Sequence, residues 1–228
     1  MPRPFLLALG WLLALGAPAL AQQETMGYSA RNPDRSNPTT ALTQEMANIR
    51  DANARLSTRI RTAMEKLEAV ARLASGNENE KEAQVDSLFF TLRDEVYGVL
   101  DQLDLNSDFA DALNRAKEST IVLKSWYERQ PPDYPNREQS IAQLERAVQE
   151  YGIVDEQLNR SRALAQEKLS TIMRQHRVIL QEMKIGKVLE AIAAARAVVE
   201  GLNDITSAMT VVEEKTNAGL KSSVPISN

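Results

Sequence analysis

The sequence predicts an all-α protein, an elongated antiparallel helical bundle with coiled-coil-like packing and four to five helices. Three observations carry that expectation. The first is composition: of 228 residues, 43% are hydrophobic and only 5% aromatic, with abundant Ala, Leu, Glu, Gln and Arg. Such side chains suit helix surfaces and narrow helix-helix seams better than a sheet sandwich. The second is a long run of apolar residues stepping by four and three, the signature of a helix seam. The third is punctuation, because capping residues, glycine and paired prolines recur where the stepping stops.

The opening stretch MPRPFLLALGWLLALGAPALA has an early cation at Arg3, an apolar run from Phe5 to about Ala17, and Ala19 and Ala21 flanking Leu20. That order predicts a secretory signal over 1–21, and the apolar run is short for a membrane span. Residues 22–39, with Pro33 and Pro38 and no apolar period, read as a flexible tether. Residues 40–218 read as the bundle domain and 219–228 as a disordered tail.

The first helix has Leu42, Met46, Ile49, Asn53, Leu56, Ile60, Ala63, Leu67, Val70 and Ala74 in register, nine of the ten being apolar. It should stop at Gly76, with Asn77 and Glu80 spaced as a capping box for the next helix. That second helix spans about Lys81 to Leu103, with Val85, Leu88, Leu92, Val96, Val99 and Leu103 inward. Asn106 or Ser107 caps a third helix, which turns Phe109, Leu113, Ala116, Thr120, Leu123 and Tyr127 inward and ends at RQPPDYP, where two prolines remove backbone donors.

Asn136 and Gln139 repeat the capping spacing and open the longest run, to about Met183, roughly 70 Å of helix. Its seam reads Ile141, Leu144, Val148, Tyr151, Asp155, Leu158, Arg162, Ala165, Leu169, Ile172, His176, Ile179 and Met183. Gly186 predicts a break or kink in KIGK, although a single continuous rod is the alternative. A last helix turns Val188, Ile192, Ala195, Val199, Leu202, Ile205, Met209 and Val212 inward. The second and third helices together match the long one, so they are expected to lie end to end along it.

Cysteine count narrows the setting. With none there are no disulfides, no thiolate nucleophile and no covalently held haem. A secreted chain of this length without disulfides points to a Gram-negative periplasm or exterior. The formal charge of −4 becomes about −5 after removal of Arg3, which disfavours general binding to nucleic acid or anionic lipid. After signal cleavage no further membrane span is expected. Charge is also segregated: residues 83–118 hold eight acids and three bases, and residues 160–187 hold seven bases and two acids. The two segments are expected to complement each other across the bundle or to guide a partner.

Candidate site residues are few. His176, the sole histidine, lies on the seam, where a neutral imidazole is a satisfied core side chain. Metal ligation needs several convergent ligands, and the Glu-x-x-His spacing of di-iron bundles is broken by Met173. His176 is nevertheless the one cofactor-binding candidate, since some four-helix periplasmic cytochromes pair histidine with methionine around a b-type haem, and Met46, Met64 and Met209 lie on seams. No cofactor and no metal are expected. Asn53, Asp155, Arg162 and His176 are read as polar seam residues that set register. The small-residue run AIAAARAVV, 191–199, reads as close internal packing, with self-association as the sharper alternative. Trp126, Tyr127 and Tyr134 cluster around the proline turn and form the candidate contact tip.

No G-x-S-x-G, P-loop, G-x-G-x-x-G after a strand, or H-E-x-x-H occurs, and no catalytic residue is assigned. The expectation is therefore a non-enzymatic exported scaffold or interaction protein of the bacterial envelope, with an envelope protein or a second copy as partner. The alternative is a periplasmic small-ligand or b-type haem-binding bundle.

Overall fold

The computed structural model describes residues 37–73 and 77–224. The expected signal at 1–21, most of the tether, Gly76 and the last four residues lie outside them. Six helices are described: α1 Pro38–Arg72, α2 Glu78–Gln102, α3 Asp108–Glu128, α4 Arg137–Lys184, α5 Val188–Glu200 and α6 Asn203–Ser222.

They form four columns. α1 packs against α2, α3, α5 and α6, and α4 packs against the same four, so α1 and α4 occupy opposite corners. α2 does not pack along α3, nor α5 along α6. Each pair is therefore one column laid end to end, as expected for α2 and α3. The last helix was expected to be continuous, whereas here it is interrupted at Gly201–Leu202. α4, with 48 residues, is about 72 Å long and organises the bundle.

The break at KIGK is a full reversal, because α5 packs back against α4 and the continuous rod is excluded. Gly186 has φ +84°. Its N–H donates to Met183 O at 3.1 Å, and the Lys187 N–H donates to Glu182 O at 3.0 Å. This pair of bonds is the Schellman motif, which needs a left-handed residue after the helix end. Nothing would touch a Cβ at Gly186, so Gly186→Ala tests backbone strain alone. It is expected to cost about 1–2 kcal/mol, read by urea unfolding.

Other helix ends correct the expected caps. Ser107 accepts from the Ala110 N–H at 3.2 Å, but neither Asn77 nor Asn136 makes a side-chain cap bond. Asn136 instead sits at φ 55°, a left-handed shape that asparagine tolerates better than most residues. α6 runs past the expected end at residue 218 because Thr216 and Gly219 are buried in the core.

The seam positions of α2 and α3 from Val85 to Thr120 are buried as expected. In α1 and α4, however, three polar assignments are one residue off. The buried residues are Ala52, Val154 and Ser161, while Asn53, Asp155 and Arg162 sit beside them at the bundle edge. On a 3.6-residue helix, positions three and four after a core residue both border the seam. The smaller or less polar neighbour goes inside, because burying an unpaired charge costs far more than burying alanine or valine.

Register is held at the rim. Arg50–Glu213 at 2.6 Å ties α1 to α6, Arg59–Glu95 at 3.1 Å ties α1 to α2, and Lys117–Asp155 at 2.6 Å ties α3 to α4. Lys168–Asp204 at 2.7 Å and Lys184–Glu82 at 3.1 Å tie α4 to α6 and α2. Such partly exposed pairs add little stability but disfavour shifted alignments. The expected pairing of the acidic and basic segments is mostly absent: Glu95 turns to α1, Arg93 pairs with adjacent Asp94, and Arg115 pairs with Asp111.

Candidate functional site

His176 sits where α4 meets α2, at the flank of the seam between Ile172 and Ile179. Its ring lies parallel to that of buried Phe89, centroids 4.9 Å apart and planes within 3°. Phe90 meets the same ring edge-on at 5.4 Å, and Arg93 lies over the Phe90 ring at 4.8 Å. Nε2 is 2.9 Å from Asp86 Oδ1, close enough for an ion pair, yet the contact lacks hydrogen-bond alignment.

An Asp–His pair is half of a nucleophilic site, which also needs a hydroxyl or thiol within hydrogen-bond reach of the imidazole. Here Phe89 covers one face of the ring and Phe90 stands perpendicular to it, and no hydroxyl is hydrogen-bonded to the imidazole among the described residues. Among the described residues no group of three or more His, Asp or Glu side chains is placed to hold a metal. Packing is what this arrangement achieves: His176 joins α4 to α2.

The other polar candidates do not converge. Asn53 Nδ2 donates to Thr206 O at 3.2 Å and to Thr210 Oγ1 at 3.3 Å, both on α6. Asp155 pairs with α3, and His176 with α2. Arg162 forms no ion pair among the described residues. Of the four residues read as one polar set, Asn53, Asp155 and His176 thus serve three separate helix contacts. The sequence reading missed Phe89, Phe90 and Arg93. Their signal was the aromatic pair Phe89 and Phe90 that follows Leu88; of these three residues only Leu88 was placed on the seam.

One close approach was also unforeseen. Tyr151 is fully buried and its ring fills the place where a side chain on Gly219 would project; a Cβ there would stand 2.5 Å from Tyr151 Cε1. Burial pushes the Tyr151 phenol above its ordinary range, with the Ser223 side chain pulling the other way. The hydroxyl itself makes no well-formed hydrogen bond.

Trp126, Tyr127 and Tyr134 are brought together as expected. Trp126 meets Tyr127 at 4.9 Å and Tyr134 at 5.6 Å between centroids, and Tyr127 meets Tyr134 at 6.1 Å, all edge to face. The turn is tied down by Arg137, whose guanidinium donates to Glu128 O at 2.9 Å, and by the Tyr134 N–H donating to Pro131 O at 3.0 Å. One turn earlier, a hydrogen bond to Glu128 and the charge of that carboxylate hold Lys124 above its ordinary range.

The cluster is nevertheless open. Trp126 is 44% and Tyr134 37% exposed, next to Ile121 and Val122, the latter 69% exposed. These residues share one end of α3, which among the described residues packs mainly against α1 and α4. Rigid aromatics with aliphatic neighbours on a fixed turn are the composition of protein-binding anchors.

The chain was compared with known protein families, with curated proteins and with solved structures, and matches none. Among the described residues no helix is long and apolar enough to cross a membrane.

Proposed function

We propose that the protein is a non-enzymatic scaffold exported to the periplasm or exterior of a Gram-negative bacterium, which engages another envelope protein through the aromatic end of its bundle. The observation that carries this reading is the pairing of order with exposure at Trp126, Tyr134 and Val122. Their geometry is set before binding, so little conformational entropy is lost when a partner covers them. The long helices supply reach, and the rim ion pairs keep the tip at a defined distance from the other end.

Site-specific photo-cross-linking in cells tests the reading. A probe at Val122 or Tyr134 should give one discrete adduct, which Trp126→Ser abolishes while leaving the helical circular dichroism unchanged. A probe at exposed Arg55 should give none. Equal labelling from all three positions, or none from the tip, would remove the tip from consideration. The rival ligand or b-type haem reading is answered on the same purified material, where a Soret band lost in His176→Ala would replace the scaffold proposal.

A further inference from the structure

α5 is packed on one side only. Ala191, Ile192, Ala195 and Val199 enter the core, while Leu189 is 71% exposed, and Ala193, Ala197 and Glu200 are exposed on the opposite face. Ile185, 64% exposed, stands at the preceding turn. Two open depressions lie at this outer side of the helix. One, of about 440 Å³, lies towards α4 and includes Lys168, Thr171, Ala194 and Ala197. The other, of about 290 Å³, lies on α5 itself, over Leu189, Ala193, Arg196, Ala197 and Glu200. A face with a groove beside it and a shallow depression over its alanines accepts the ridge of a second helix at close approach.

The charges decide what covers it. Lys187 precedes the first turn of α5 and Glu200 closes the last, and neither has an ion-pair partner among the described residues. Each also opposes the helix macrodipole, which favours anions at the N-terminal end and cations at the C-terminal end. Both mismatches are removed by one arrangement: an identical α5 laid antiparallel brings Glu200 of one copy to Lys187 of the other, twice.

We propose that the outer face of α5 is a two-fold interface on which a second copy of this chain packs antiparallel, centred on Ala193. Leu189 of each copy then lies over Ala197 of its partner. With 13 residues, α5 offers a ridge of only about 20 Å, so the dimer is weak and concentration-dependent. This interface is independent of the aromatic end.

The purified full chain tests it by sedimentation and by thiol cross-linking, since it has no native cysteine. Ala193→Cys should form a disulfide-linked dimer under mild oxidation, because the two-fold places both thiols within disulfide reach. Leu189→Cys should not, its two copies lying about 12 Å apart along the axis. Lys187→Glu should weaken association at least tenfold, and adding Glu200→Lys should restore it, whereas Trp126→Ser should leave it unchanged. A monomer at every concentration, cross-linking from Leu189→Cys rather than Ala193→Cys, or failure of the charge exchange to restore association would each overturn the proposal.

Discussion

Replacing Phe89 with alanine is expected to cost about 3–5 kcal/mol, the range for emptying a fully buried aromatic site, and to lower the melting temperature by about 10 °C for a domain of this size. Phe89 is 0% exposed, sits in the core of α2 and is the platform on which the His176 ring rests. His176→Ala should cost only about 1 kcal/mol, because it removes two ring contacts of a side chain that is partly exposed and leaves the buried Phe89 in place. The order of the two effects is the informative result. Thermal unfolding followed by circular dichroism measures both. If His176→Ala proved the costlier change, the histidine would hold more of the bundle together than its stacking accounts for.

Gly219→Ala should also destabilise, by about 1–3 kcal/mol, although glycine to alanine inside a helix ordinarily gains close to 1 kcal/mol. The sign reverses because the new methyl would stand 2.5 Å from a ring carbon of Tyr151, and a ring buried on every side has no room to withdraw. Tyr151→Leu removes the obstruction. In the double variant the cost of Gly219→Ala should therefore shrink, a non-additivity that a double-mutant cycle reads directly. Additive losses would show that α6 yields instead of the ring. Chemical denaturation midpoints suffice for this comparison.

Much of the architecture was legible in the amino-acid order. Four-three stepping located α1, α2, α3 and α4, and the matched lengths of α2 with α3 against α4 anticipated their end-to-end placement. Ser107 and Gly186 marked real helix boundaries. Asn77 and Asn136 did not act as expected, because a capping residue type states only what a side chain is able to do. Whether the bond forms depends on how the chain enters the helix, and Asn136 enters at φ 55°.

The polar seam was the weakest part of the reading, and the reason is geometric. A helix offers two candidates at each inward step, and periodicity does not choose between Ala52 and Asn53, Val154 and Asp155, or Ser161 and Arg162. Desolvation chooses, once neighbouring columns have closed. His176 is the exception that stayed near the seam, because Phe89, Phe90 and Asp86 on α2 surround its ring with apolar faces and one carboxylate.

Helix class and helix order were contained in the chain itself, since they follow from local propensity and from the 3.6-residue period; that the chain reverses at Gly186 instead of continuing as one rod was not. Packing alone decided that Ala52, Val154 and Ser161 went inside in place of their polar neighbours, that Gly219 must carry no side chain, and that Trp126 and Tyr134 remain partly open to solvent. The same holds for α5, whose outward charges became meaningful only when α1 and α4 had claimed its other side. Those outcomes depend on contacts between residues far apart in sequence, which burial free energy selects and no local pattern records.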